Sequence, residues 1–363
     1  MVLRECTYGG EEMETRRLGS TGLSVGAIGL GTEYFRQPPE ETVTAIMRVA
    51  VEQGVDYIDV LFGDPDYRDK IGHAIKGLRD RIVVNGHIGI SVVNGQPSQA
   101  RDAGVSEEFF HDLLKRLGTD HVDVGMIQMV DSDEYFDKVV APGGILESAH
   151  KLREQGKLLH IGISSHVAKI AVRAASSGLF DVLMYPINFS NRAEEVATAC
   201  NAHGVCLVGM KPFMGGEFFQ EPYRKFITPV NALSFALSRP AVAVVVPGTK
   251  NLSELSQVLA YSSATPEEKD YQVILSGFDA NLEGICTYCD HCLPCSAGIS
   301  ISQVIWCLRA ADRGYADAPY VYRDLKPQAS TCTECGNCVA RCPFKVDILA
   351  RMKEAVGRFE GGR

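Results

Sequence analysis

Eight cysteines near the C-terminal end carry the clearest chemistry in this chain of 363 residues. Cys286, Cys289, Cys292 and Cys295 read C-x2-C-x2-C-x2-C. Cys332, Cys335, Cys338 and Cys342 read C-x2-C-x2-C-x3-C and are followed by Pro343. The second run has a spacing that holds [4Fe–4S] clusters: three closely spaced thiolates surround one face of a cube, and the remote fourth ligates the other cluster. Two runs of four supply the thiolates for two clusters. The pattern assigns Cys286, Cys289 and Cys292 with Cys342 to one, and Cys332, Cys335 and Cys338 with Cys295 to the other. The one departure is the two-residue gap before Cys295, where three is usual. A zinc ribbon would use separated C-x2-C pairs, and disulfides would need an oxidising compartment. Cys307, between the runs, reads as a buried apolar thiol.

The cysteines also divide the chain. Nine of the twelve lie between Cys286 and Cys342, and only Cys6, Cys200 and Cys206 precede them. A domain size of roughly 150 residues suggests two domains, or one large α/β barrel with an appendage. The boundary falls near residue 275: 14–275 is cysteine-poor, and 276–363 is a module small enough to need a metal or cross-links. Ile301–Ala311 reads as a helix between the two runs, so this module is expected to be mainly helical and ferredoxin-like.

Hydrophobic residues make up 45% and charged residues 22%, which is ordinary globular composition and excludes a disordered chain or a coiled coil. Lys+Arg 36 against Asp+Glu 45 gives a net charge of −9 without basic runs. That argues against a nucleic-acid or anionic-membrane partner. No apolar run approaches the ~20 residues of a membrane span. The acidic N-terminal stretch has no signal-peptide character, so a cytoplasmic location is expected.

Something must position these groups, and the first part of the chain supplies a regular frame. Short β-branched runs at Ala27–Gly31, Tyr57–Leu61, Arg81–His87, Val122–Gln128, Leu159–Ser164, Asp181–Tyr185, Val205–Met210 and Ala241–Val246 alternate with amphipathic helical stretches. Ala241–Val246 is apolar throughout, as a strand covered on both faces should be. Eight such units in about 250 residues predict a (β/α)8 TIM barrel. Glu14–Val25 reads as a hairpin capping the barrel bottom. Polar residues at strand C-terminal ends face the site in such a barrel: Asp59, His87, Gln128, Ser164, Ser165, Asn188, Lys211 and the Pro247–Gly248–Thr249–Lys250 turn.

The stretches RRLGSTGLSVGAIGLGTEYF (16–35), GVDYIDV (54–60), LKRLGTDHVDV (114–124), LREQGKLLHIGISSH (152–166) and VVVPGTKNLSEL (244–255) resemble landmarks of the aldo-keto reductase superfamily, in family order and spacing. With the cysteine module, the chain resembles the subgroup that carries a C-terminal ferredoxin-like domain. The resemblance implies a (β/α)8 barrel that reduces carbonyls with NAD(P)H, using an Asp, a Tyr proton donor, a Lys and a His. Asp59 matches the Asp. Asp64 stands where the Tyr is expected, and Gly72 still matches a family glycine eight residues on. His87 replaces the Lys and Gln128 the His. Tyr67 would serve only through a re-routed loop. His87 is the better donor near neutrality, oriented by Asp59 or Asp64.

The same resemblance places Ser164, Ser165 and Asn188 at the nicotinamide carboxamide, and Gly31 and Thr32 near its ribose. The Gly248–Thr249–Lys250 turn leads into a helix whose N–H groups could hold a phosphate, and Lys250 and Lys211 add positive charge. Met184, Met210 and Val258 depart from usual cofactor contacts. No flavin fingerprint is legible.

The expected function is that of an iron–sulfur oxidoreductase acting on a small organic, carbonyl-type substrate. Its electrons would pass through two [4Fe–4S] clusters from an external donor or acceptor such as a ferredoxin, flavodoxin or flavoprotein. The alternatives are an electron-transfer or interaction subunit that uses the barrel as scaffold, and a non-redox lyase or dehydratase with structural clusters.

Overall fold

The computed structural model describes residues 13–361, without 94–95, 221–222, 279–283, 285, 287–291, 294, 313, 316 and 343–344. Cys289 and Pro343 therefore lie outside the described residues. The chain divides into two compact units, one ending at Tyr271 and the other comprising 272–363 with 189–191.

The first unit opens with an antiparallel hairpin, β1 (Thr15–Arg17) and β2 (Ser24–Gly26). Strands β3 (Leu30–Gly31), β4 (Tyr57–Val60) and β5 (Val83–Ile88) follow, then a short antiparallel hairpin of β6 (Ile90–Val93) and β7 (Gln96–Gln99). The remaining strands are β8 (Val122–Ile127), β9 (Leu158–Ser164), β10 (Val182–Pro186), β11 (Cys206–Met210) and β12 (Val242–Val246). One parallel sheet runs β3-β4-β5-β8-β9-β10-β11-β12. Bridges from Ile28 to Val245 and from Gly31 to Gly248 join its first and last strands and close the barrel. The covering helices are α1 (Glu40–Glu52), α2 (Pro65–Ile75), α3 (Ala103–Leu117), α4 (Asp133–Val140), α5 (Ile145–Glu154), α6 (Ala168–Ser176), α7 (Glu194–His203), α8 (Pro229–Leu237) and α9 (Leu252–Leu259), followed by the short α10 (Pro266–Lys269).

The expected eight strands are all present. Three additions were not foreseen: the β6–β7 hairpin after the third barrel strand, α4 ahead of α5, and the short α10. The first barrel strand is shorter than Ala27–Gly31, because its opening residues meet β12 only through single bridges.

Side-chain alternation fills the barrel. Tyr57, Val124, Met126, Val182, Met184, Cys206, Val208, Val244 and Val246 form one buried cluster. Leu18, in the turn of the β1–β2 hairpin, joins that cluster and is fully buried. The hairpin thus closes the floor, and the polar residues are left to the opposite rim.

Helices α2 and α3 approach closely at Gly72, where a methyl group would press on the Arg116 carbonyl and come 3.1 Å from Leu117 Cα. The buried Arg68 ties the same two helices, bonding Phe62 O at 2.9 Å, Phe109 O at 2.7 Å and Asp112 at 2.9 Å. Overpacking of this kind costs about 1–3 kcal/mol. Gly72→Ala is therefore expected to lower the free energy of barrel unfolding by that amount, read as a lower urea midpoint at unchanged slope, and an unchanged midpoint would show that the two helices can part freely.

The second unit is built, among the described residues, from α11 (Gln272–Phe278), α12 (Ile301–Asp312), α13 (Ala318–Asp324), α14 (Asn337–Arg341) and α15 (Ile348–Ala355). Its core is small: Ile299, Val304, Ile305, Leu308, Tyr322, Ile348 and Met352 pack together with Cys292, Cys307 and Cys338. No helix among the described residues is long and apolar enough to cross a membrane.

Candidate active site and cysteine cavity

At the barrel rim β4 and β5 pair in register, with Asp59 opposite Asn85. Alternation then turns His87 to the same interior side as Asn85. Asp59 Oδ1 accepts from Asn85 Nδ2 at 2.6 Å and lies 2.9 Å from His87 Nε2. A carboxylate oxygen is an acceptor only, so Nε2 carries the proton and Nδ1 presents its lone pair. His87 is 5% exposed and Asp59 6%. Nδ1 has no partner among the described residues, and neither has Gln128 Oε1. The ring is therefore held in one orientation, with Nδ1 buried and unpartnered among the described residues, an arrangement that can serve as a base or acid.

Asp59 rather than Asp64 orients the imidazole. Asp64 sits at the N-terminus of α2, and its Oδ1 takes an ion pair from Arg36 Nη2 at 2.9 Å. Tyr67 is fully engaged elsewhere. Its hydroxyl meets the Thr32 hydroxyl in a short hydrogen bond and accepts from Leu61 N at 3.1 Å, and Thr32 Oγ1 donates to the Asp59 carbonyl at 2.6 Å. Burial pushes the Tyr67 hydroxyl well above the usual phenol range.

A second polar line crosses the rim from the ends of β8, β9 and β11. Asp131 accepts from Ser165 Oγ at 3.0 Å, from His166 N at 2.6 Å and from His166 Nδ1 at 3.2 Å. Burial raises the Asp131 carboxyl, but its contacts with His166 and Ser165 outweigh that and leave it below the usual carboxylate range. His166 Nε2 lies 2.9 Å from Lys211 Nζ. Lys211 is reached by water yet walled by protein. That enclosure lowers its ammonium, against the pull of Asp131 and Glu33. Ser164 Oγ accepts from Met129 N at 2.9 Å, and Asn188 Nδ2 donates to Lys211 O at 3.1 Å.

Glu33 was missed by the sequence reading, which stopped at Thr32. Burial pushes its carboxyl up to about 7; its own backbone N–H opposes this, Asp59 adds to it, and Lys211 and Lys250 oppose it. Asp131 and His166 were also missed. All three follow a barrel strand by a few residues, which is the signal that could have found them.

The Glu33 shift fixes a pH dependence. The folded state holds this proton more tightly than the unfolded chain does. Stability therefore falls as pH rises from about 4.5 to about 7 and stays low above that. Glu33→Gln removes the effect. In urea unfolding, the variant is expected to gain on the wild type between pH 5 and pH 8, by at most about 3 kcal/mol. Parallel stability curves would mean that the carboxyl is not perturbed.

In the second unit, Cys295, Cys332, Cys335 and Cys338 line one cavity with Ser296, Thr333 and Asn337. Ser296 Oγ is 3.4 Å from Cys335 Sγ. Cys335 is exposed; the contact with Ser296, then the Asn337 N–H, lowers its thiol pKa. Cys286, Cys292 and Cys342 pack on the same apolar core. Cys307 is fully buried, and burial pushes its thiol up to about 12. Among the described residues, no three His, Cys, Asp or Glu side chains are grouped so as to hold a metal ion.

The aldo/keto reductase family model matches residues 22–231, more than half of the chain. The chain belongs to the aldo/keto reductase family. Its similarity to the aldo-keto reductase YhdN of Bacillus subtilis (strain 168) is 27% identity over 162 residues. That match covers 42% of this chain and 47% of YhdN, so it spans about half the length of the curated relative. Among solved structures, the holo form of aldo-keto reductase AKR11C1 from Bacillus halodurans superposes with a TM-score of 0.64 at 22% identity, covering 73% of this chain and 96% of that one. PA4992, the putative aldo-keto reductase from Pseudomonas aeruginosa, gives 0.58 at 24% identity, over 69% and 94%. At these identities the structures show the shared aldo-keto reductase barrel.

Proposed function

We propose that this aldo/keto reductase is an iron–sulfur oxidoreductase, in which the Asp59–His87 pair handles the proton of a small carbonyl-type substrate. Electrons would enter through two [4Fe–4S] clusters in the second unit. The observation that carries the reading is the single cavity walled by Cys295, Cys332, Cys335 and Cys338. These four residues come from both cysteine runs, in the combination that the spacing rule demands. Thiolates are the ligands such a group needs, and the remaining lining includes apolar Ile299, Ile301, Leu349 and Met352. Cys286, Cys292 and Cys342, with Cys289, would hold the second cluster. Cys307 stays out of both sets.

When bound, a [4Fe–4S] cluster supplies one electron at a time. The chain's own residues do the rest. Asp59 fixes the His87 ring through Nε2. Nδ1, when protonated, can donate to a substrate oxygen that carries negative charge and, when neutral, can take the proton of a hydroxyl, so His87 accounts for the proton on oxygen alone. Gln128 stands beside the same strand ends as a further hydrogen-bonding group. Low exposure of Asp59 and His87 keeps bulk water from competing for that proton.

The deciding experiment is anaerobic. The purified protein is analysed for iron and sulfide, then given NADH, NADPH or dithionite while the visible absorption of the clusters is followed. The reading expects about eight iron and eight sulfide per chain, with bleaching by dithionite. Iron-free protein that remains folded would overturn it. A panel of aldehydes and ketones, with dithionite-reduced ferredoxin or flavodoxin as donor, then searches for the substrate and partner.

A further inference from the structure

The seam that closes the barrel is also a cradle for an anion. Gly31 follows β3's first residue and bridges Gly248, just beyond β12. Neither has a Cβ, and glycine is the residue that lets another group approach the backbone. Lys211 comes from the end of β11 and Lys250 from the turn after β12. Both lie near enough to act on the charge of Glu33. Thr249 is fully buried, and its Oγ1 has no partner among the described residues. Loops after the seventh and eighth strands of such barrels often bind phosphate. Here β11 and β12 are those strands.

The cradle already contains an anionic group. A methyl on Gly31, or one on Gly248, would come 2.7 Å from Glu33 Oε2. The space that glycine leaves open is taken by the protein's own carboxylate, which the charges of Lys211 and Lys250 also reach. A dinucleotide entering there would bring a pyrophosphate, an anion of the same sign to the same place. The polar groups further along the rim are committed as well. Ser165 Oγ serves Asp131, Asn188 Nδ2 serves a carbonyl, and Ser164 Oγ accepts a backbone N–H. The residues present do not fit a tightly held NAD(P)H.

We propose that Glu33 is a built-in competitor that keeps the phosphates of NAD(P)H out of the cradle formed by Gly31, Gly248, Thr249, Lys211 and Lys250. The claim concerns binding alone, so it stands or falls independently of the clusters and of the proton chemistry at His87.

The test is isothermal titration of the purified holoprotein at pH 8 with NADPH, NADH and inorganic pyrophosphate. It compares wild type, Glu33→Gln and Glu33→Ala, each checked for an unchanged circular dichroism spectrum and iron content. Wild type is expected to show no saturable binding up to about 1 mM, and at least one variant to bind NADPH at least tenfold more tightly. Gain in both variants identifies charge as the barrier. Gain in the alanine variant alone identifies the bulk of the side chain. Equal affinity in all three proteins, or no binding by any of them, would overturn the proposal.

Discussion

Cys338→Ser should cost the anaerobically purified protein at least half of its iron and sulfide. The Cys338 thiol lines the cavity with Cys295, Cys332 and Cys335 and is only 8% exposed. A serine oxygen is a harder and poorer ligand for this type of cluster than a thiolate. The effect should reach beyond iron. Cys338 and Cys292 belong to the apolar core of the second unit, which is too small to be stable comfortably without a bound group. Thermal unfolding of that unit should therefore move to a lower temperature, while the barrel transition stays in place. Cys307→Ala is the control: this buried thiol, outside both proposed ligand sets, is expected to leave iron unchanged while its loss loosens the core slightly. Full iron in Cys338→Ser, or loss of iron in Cys307→Ala, would discard the ligand assignment.

His87→Ala should lower turnover of whichever carbonyl compound the wild type reduces by about 10²–10⁴-fold, the usual contribution of a positioned proton donor. Asp59→Asn should also be severe, for a different reason. An amide facing Nε2 can turn its NH2 toward the ring, and the proton then moves to Nδ1. Nitrogen NMR of labelled protein separates the two cases without a substrate. The wild type should show the proton on Nε2 of the neutral His87 ring, and Asp59→Asn should show it on Nδ1. Gln128→Ala, which leaves the 2.9 Å Asp59–His87 contact intact, should cost much less than His87→Ala. A wild-type ring protonated at Nδ1, or full turnover by His87→Ala, would remove His87 from the proton chemistry.

Much of this was legible without coordinates. The β-branched runs and intervening helices announce eight βα units, because strand and helix periods of burial differ so sharply. The two cysteine runs carry the spacing on which the proposed ligand pairing rests, because such spacing is set by the geometry of a cluster. The β6–β7 hairpin was missed although its signal is present: the largely β-branched run Ile90–Val93 is followed in the sequence by Asn94 and Gly95, a two-residue hairpin-turn pair. Helix α4 (Asp133–Val140) was missed although Ser132 caps it and Tyr135, Phe136 and Val139 recur at helical spacing; at eight residues it is a short element.

By itself, the sequence determined the barrel, the cysteine-rich module and the identity of the polar residues at the strand ends. Those features depend on local period and spacing, which any stretch of chain carries within itself. Only the tertiary structure decided which of those polar groups meet. Asp59 pairs with His87 because β4 and β5 are neighbours in register, while Arg36 takes Asp64 away. Tyr67 is spent on Thr32 and the Leu61 amide. Glu33 lies over Gly248 because the barrel closes β3 against β12, bringing the two ends of the first unit's sheet together. A contact made by closure has no local signature in the chain, since its partners are joined by the fold and not by their spacing.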